Sequence, residues 1–295
     1  FKKIKDTTNI KIIEYTNYKC EYGSINIFCN VVNNLLLKYG KTNILIINQH
    51  EYSKSWIYSL HNFDYILTKS KYTEELLQQF IPKNKIKFIS WRSSDLNNNY
   101  DKDFSEYLLF CHDTKFTDYK TIVENWKTTY PNLNVVNGPQ FNINKVQDNI
   151  KYHNNLTQIQ FENLFNYCGI HFCLNNITSF SHNINQCCLS KSIPIFCNNG
   201  PMKEIFSSDY CFYISSTKRK LNSGLGSQYK YNIDNLDEIL NNISKLSEST
   251  LEKMGENLRK EAIKNHSIND SLFKDFFTNT IKTSRSLKPY NNNII

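Results

Sequence analysis

Residues Thr178–Gln186 read T-S-F-S-H-N-I-N-Q, and the fold is read outward from them. Before them stands a short apolar run, His171–Leu174, of the kind that forms a buried strand. After them, Ile184–Lys191 spaces its apolar residues as a helix does. The small residues Ser179 and Ser181 in the turn let backbone amides approach a ligand closely. The helix that follows offers its first N–H groups and the positive end of its dipole at the same place. A diphosphate suits such a seat, and an ordinary Ser-rich helix cap fits the same letters. Spacing alone leaves both readings open.

The alternation continues in both directions. Upstream, Ile10–Glu14, Asn43–Ile47, Tyr65–Leu67 and Lys85–Ile89 read as strands, with helices expected at Ile25–Lys38 and Thr73–Phe80. The polar stretch Asn97–Asp103 reads as a linker. Beyond it, strands are expected at Tyr107–Cys111, Leu133–Val136, His171–Leu174, Ile193–Cys197 and Cys211–Ile214. Helices are expected at Tyr119–Lys127, Phe161–Tyr167, Ile184–Lys191 and in a series from Leu236 to about Lys282. Strand and helix in alternation predict parallel sheets, here two doubly wound α/β modules in series. In such sheets ligands bind beyond the carboxyl ends of the strands.

Composition narrows the function classes. With 295 residues and 40% hydrophobic side chains, the chain can build two cores. Its net charge of +8 comes from scattered lysines, and Lys218-Arg219-Lys220 is the one tight basic run. No nucleic-acid motif accompanies the charge, so a solvated surface favouring anionic ligands is the simpler reading, and nucleic acid is not the expected partner. The wealth of Lys, Asn, Ile and Tyr reads as the coding bias of an AT-rich genome, such as that of a large DNA virus or a parasitic protist. Nine cysteines without C-x-x-C spacing indicate neither a disulfide framework nor a zinc site, and several sit in apolar runs as small hydrophobes. No apolar stretch reaches membrane-spanning length, and Phe1-Lys2-Lys3-Ile4-Lys5 reads as a trimmed or internal start rather than a signal peptide. The expected location is cytoplasmic, the host cytoplasm if the genome is viral. His112, His153 and His171 lack metal-ligand spacing, and Lys69 and Lys71 read as surface charges.

Several further segments fall into order around the turn. S-I-P-I-F (192–196) and N-G-P-M-K-E (199–204) follow it, and M-G-E-N-L-R-K (254–260) lies beyond. N-Q-H-E-Y (48–52), F-D-Y-I-L-T-K-S-K-Y-T (63–73) and W-R-S-S-D (91–95) precede it. Together they resemble the GT-B glycosyltransferases of the GT4-like group. That family's loop E-G-F-G-H-Y-I-N-E is matched by Phe180, His182, Ile184 and Asn185. N-G-P-M-K-E resembles its A-P-P-M-N-E, and N-Q-H-E-Y its N-Q-E. The family's two glutamates fall on Thr178 and Gln186.

The resemblance implies two Rossmann-like domains facing across a cleft. Residues 1–96 would be the acceptor side, 104–270 the nucleotide-sugar-binding domain, and 271–295 a closing helix and tail. It implies transfer of a sugar, with retention, from a UDP- or GDP-sugar to an unidentified glycan, protein or lipid, without a cofactor or metal. Donor contacts would come from Lys115, Thr178, Ser179, Phe180, Ser181, His182, Asn185, Gln186, Pro201, Met202 and Glu204. Lys115 follows the strand Tyr107–Cys111 and reads equally as part of a solvated helix start. His50 and Glu51 are the catalytic candidates. Either would be the base if transfer inverts, and His50 would hydrogen-bond the donor if transfer retains. A loop histidine without a role also fits His50. With both glutamates replaced, a relative that binds a glycan or a protein without catalysis is the alternative.

Overall fold

The computed structural model describes residues 23–97, 101–110, 119–136, 147–174, 180–198, 200–204, 206 and 208–286. They form two compact units. The first holds the chain up to Ser90, Ser223–Leu225 and the residues from Ser267 on. The second holds Trp91–Asn222 and Gly226–His266.

The first unit is built on four parallel strands, β1 (Gly23–Cys29), β2 (Gly40–Ile46), β3 (Tyr65–Thr68) and β4 (Ile86–Phe88), hydrogen-bonded in chain order. Ile44, Leu45 and Ile47 are fully buried, as expected of a strand covered on both faces. The expected strands at Asn43–Ile47, Tyr65–Leu67 and Lys85–Ile89 therefore stand, while Ile10–Glu14 lies outside the described residues. The expected helix at Ile25–Lys38 does not form. Ile25, Ile27 and Phe28 belong to β1, which pairs with β2 along its length. Asn30 then takes a left-handed φ of 66° that ends the strand. Only Asn34–Tyr39 winds into a 3-10 helix, capped by the Asn33 side chain. The polar residue inside β1 is the clue that apolar periodicity missed. Asn26 is buried because its amide donates to the Leu36 carbonyl at 3.0 Å and to Asn43 Oδ1 at 3.1 Å. Helix α1 (Lys71–Leu77) starts two residues ahead of expectation, where Ser70 caps the Thr73 amide.

The second unit has six parallel strands: β5 (Asp103–Phe110), β6 (Asn132–Val136), β7 (Ile150–His153), β8 (Cys168–Phe172), β9 (Ile193–Cys197) and β10 (Phe212–Ile214). Their order is β10-β9-β8-β5-β6-β7. Counted from β5 as the first strand and read from β7, this is 3-2-1-4-5-6, the order of doubly wound dinucleotide-binding sheets. Helices α2 (Tyr119–Glu124), α3 (Gln158–Tyr167), α4 (His182–Leu189) and α5 (Leu236–Ser244) accompany the strands, as does α6 (Glu248–Ser286) as far as His266, beyond which it belongs to the first unit. Every residue of β9 is buried, and Trp126, with no exposed surface, donates its indole N–H to the Pro131 carbonyl at 3.0 Å. Cys168, Cys173, Cys187, Cys188, Cys197 and Cys211 are buried free thiols, packed as small hydrophobes.

Two elements escaped the sequence reading. Edge strand β7 contributes a single buried apolar residue, Ile150, too little to show a period. The antiparallel ribbon of β11 (Ser216–Lys220) and β12 (Ser227–Tyr231) is nearly all polar and forms a separate two-stranded sheet. No helix among the described residues is long and apolar enough to cross a membrane.

Candidate functional site

The strand order in the second unit reverses between β5 and β8, so by topology a ligand crevice opens beyond the carboxyl ends of that pair. Lys115 follows β5, and Thr178 and Ser179 follow β8. All three lie outside the described residues.

The start of α4 is described, and it is tightly braced. Ser181 is fully buried with extended φ and ψ of −93° and 104°, and its hydroxyl accepts the Ile184 amide at 3.4 Å. Asn185, also buried, donates its side-chain amide back to the Ser181 carbonyl at 3.0 Å. These two residues therefore fix the shape of the turn. His182 is exposed and stands over Phe180 edge to face, with ring centroids 5.2 Å apart. The Ser93 hydroxyl lies 3.0 Å from His182 Nδ1 and donates to the His182 carbonyl at 3.3 Å. One tautomer satisfies both contacts: Nδ1–H donates to Ser93, which makes Nε2 an acceptor. Gln186 is half-buried on the next turn.

The segment W-R-S-S-D thus holds the first residue of α4. It also ties to α6, since Asp95 receives both Arg259 guanidinium nitrogens, at 3.0 and 2.8 Å. Burial would raise the Asp95 carboxyl. The Arg259 hydrogen bonds and the Asn97 amide outweigh that and hold it below the usual carboxylate range.

Of the residues expected in the next donor segment, Pro201 and Met202 are buried, and Met202 is part of the hydrophobic core. Only Glu204 is exposed. Gly200, with a left-handed φ of 52°, packs against the Tyr229 ring, where an added Cβ would come within 2.8 Å.

The first unit gathers a different set of groups at the carboxyl edge of its sheet. Glu51 Oε2 accepts from Asn48 at 2.9 Å and from Asn30 at 2.5 Å. Asn48 Oδ1 in turn accepts from Lys69 Nζ at 2.6 Å. His50 Nε2 lies 3.7 Å from Glu51 Oε1, and the His50 side chain is 12% exposed. Below them, Thr73 donates to the buried Gln49 side chain at 3.0 Å. Ser223–Leu225 closes the loop, because the Leu225 amide donates to the Gln49 carbonyl at 2.8 Å. A Cβ on Gly224 would stand 2.0 Å from the His50 carbonyl oxygen.

Lys69 is no surface charge. Burial pushes its ammonium below the usual lysine range, partly offset by the charges of Cys29 and Glu51. Asn30, Asn48 and Lys69 were not among the expected site residues. The available signal was positional, because each directly follows a strand or lies within two residues of its end. His171, by contrast, is a structural residue. It is buried, contacts the Cys168 carbonyl at 3.0 Å, and burial pushes it down to about 3, so it stays neutral. Among the described residues no group of His, Cys, Asp and Glu converges as a metal site.

Two parallel α/β units in series, the second with the dinucleotide-binding strand order, define a doubly wound protein of the GT-B type. No protein-family model and no curated protein matches the chain. Solved structures do match. The pneumococcal O-GlcNAc transferase GtfA, solved with UDP and GlcNAc, is 10% identical over 88% of this chain and 56% of its own, with a TM-score of 0.62. A glycosyltransferase from Rickettsia africae is 15% identical over 83% of this chain and 71% of its own, with a TM-score of 0.62. Anabaena HepE, solved with UDP-glucose, is 10% identical over 80% and 72%, with a TM-score of 0.59. At these identities the likeness carries the fold, which is that of the GT-B glycosyltransferases, built from two Rossmann-like units. The chain spans little more than half the length of GtfA.

Proposed function

We propose that the chain is a glycosyltransferase that takes its sugar from a nucleotide-diphosphate donor held by the second unit. The observation that carries this reading is the braced start of α4 directly after the switch strand β8 of a 3-2-1-4-5-6 sheet. There the helix dipole and the first-turn amides that Ser181 does not cap would meet an anion, which is how a departing diphosphate is stabilised. His182, locked by Ser93, offers Nε2 as an acceptor to a donor hydroxyl. Gln186 takes the place of the family's ribose-binding glutamate. An amide still accepts one hydroxyl bond and donates another, and losing the charge weakens binding by about 1 kcal/mol per bond. The fold's solved examples include ones with UDP or a UDP-sugar bound, and we extend that donor class to this chain.

On the first unit we assign the acceptor-side role to His50 and Glu51, and we add Lys69, whose ammonium anchors Asn48 beside them. Retention at the anomeric carbon follows the family resemblance, as does GT4-like membership. The test is to incubate the full chain with a panel of UDP- and GDP-sugars and to record thermal shift and released nucleotide. Stabilisation by one nucleotide together with slow donor hydrolysis is expected. A chain that binds neither UDP nor GDP at millimolar concentration refutes the reading, and one that binds a nucleotide but never turns over is a binding module instead.

A further inference from the structure

The basic run Lys218-Arg219-Lys220 has no part in the donor site described above. It forms strand β11 of the ribbon, and the ribbon roofs an open cavity of about 620 Å3 beyond the carboxyl ends of β9 and β10. That volume falls within the roughly 300–1,000 Å3 of small-molecule sites. The walls are Asn198 after β9, Tyr213, Ser215 and Ser216 at the end of β10, and Lys218 with Tyr229 from the ribbon. They are held in shape. Asn235 accepts the Ser215 amide at 3.1 Å and donates to the Tyr213 carbonyl at 3.1 Å, and the Asn232 amide donates to the Ser215 carbonyl at 2.7 Å. Tyr229 packs on Gly200 and so joins the cavity to the segment 200–204.

Ribbon register decides which charge enters. Lys218 stands directly opposite Tyr229, with the pairs Ser216–Tyr231 and Lys220–Ser227 on the same face. Thr217–Lys230 and Arg219–Gln228 occupy the other face. Arg219 and Lys230 lie on the opposite face, and of the two lysines on the near face Lys218 lines the cavity while Lys220 lies outside the lining. Among the described residues no carboxylate forms an ion pair with Lys218. Burial pushes the Tyr213 phenol up to about 12, so it is a neutral hydroxyl at physiological pH.

Two tyrosine rings, two serine hydroxyls, a carboxamide and one cation make a recognisable set. The partly exposed Tyr213 ring takes the C–H face of a pyranose while the buried Tyr229 forms a wall, hydroxyls and the amide pair with the sugar's hydroxyls, and the ammonium takes a single negative group. We propose that this cavity of the second unit is a binding site for an acidic sugar, one that carries a carboxylate or a phosphate. A polynucleotide fits less well, because it would spread several phosphates over all four ribbon cations rather than place one in a pocket.

Calorimetric titration of the full chain tests the proposal with five probes: a glucuronate-terminated trisaccharide, glucose 6-phosphate, maltotriose, decathymidylate and UDP. At least one acidic sugar should bind about tenfold more tightly than maltotriose, and the two acidic probes distinguish carboxylate from phosphate. Lys218→Ala should remove most of that preference. The double substitution Arg219→Ala and Lys230→Ala on the opposite face should leave it within about twofold. UDP affinity should be unchanged in every variant. Equal binding of maltotriose, equal loss in both variants, or tighter binding of decathymidylate than of either acidic sugar overturns the proposal. Absence of UDP and GDP binding refutes the transferase reading separately, since none of these variants touches α4.

Discussion

The two units equip the same edge of a parallel sheet in opposite ways. At the carboxyl ends of β1, β2 and β3 the first unit sets out side chains: an acid, an imidazole, two amides and a half-buried ammonium, each leaning on the next. Beyond β8 the second unit offers mostly backbone, with Ser181, Asn185 and Ser93 serving to hold a helix start still. A side-chain network can move protons and respond to charge. A braced helix start has no proton to move, and it can meet a ligand without changing shape. The difference predicts a division of labour, with chemistry sensitive to the first unit and nucleotide affinity sensitive to the second.

The strongest way to break that comparison is to strip the first unit's charges. Lys69→Met removes the cation that anchors Asn48, and His50→Ala removes the imidazole. Each should lower turnover about 100-fold while leaving the UDP dissociation constant within twofold, because neither residue belongs to the unit to which we assign the nucleotide. Steady-state kinetics alongside nucleotide titration reads both quantities. A parallel loss of UDP affinity would show that the division does not exist.

A smaller effect tests the frame instead of the chemistry. Gly224 leaves no room for a methyl group against the His50 carbonyl. Gly224→Ala should therefore cost about 2 kcal/mol of stability or displace the loop that carries His50, with turnover falling further than the melting temperature alone accounts for. Unchanged melting and unchanged turnover would mean that Ser223–Leu225 does not sit on that loop in solution.

On the second unit the sharpening substitution restores a charge. Gln186→Glu returns the acid that the resemblance places at the ribose. It should tighten UDP binding about fivefold at pH 7, close to 1 kcal/mol, with no change in melting temperature of the unliganded chain. Weaker binding by the variant would put the ribose elsewhere.

What the sequence disclosed follows the same divide. Strands β2, β8 and β9 are largely apolar runs, and Ser181 marks the start of α4, so the sheets and this helix start announced themselves in letters. The side-chain-built site did not. Lys69 looks like any lysine until β3 and α1 bury it, and Asn30 and Asn48 gain meaning only when β1 and β2 pair and bring their ends together. Ile25–Lys38 misled for a related reason. Its apolar residues suit a helix, but Asn26 finds its partners, Leu36 and Asn43, only once the strand forms. Met202 lies in a matching motif yet serves the core, since a motif records position in the chain and not which way a side chain faces.

Two half-buried lysines carry the comparison to its smallest measurable scale. Lys102 sits at the amino end of β5, opposite the edge where ligands bind, and donates to the Asn166 carbonyl at 2.6 Å. Burial pushes its ammonium down to about 8, outweighing the nearby thiols Cys187 and Cys168 that would raise it. Between pH 8 and about 10.5 the folded chain then has this group neutral while the unfolded chain keeps it charged, so unfolding takes up a proton. Raising the pH through that window stabilises the fold. Below it, both states are charged and the burial penalty is constant. Lys102→Met should remove the effect, so the stability of wild type relative to the variant should climb from pH 8 to pH 10, by less than about 1.4 kcal/mol per pH unit. Urea denaturation of both proteins at the two pH values measures it. A relative stability that stays flat or falls would mean that this ammonium is solvated when folded, and its contrast with Lys69 would then lie in position alone.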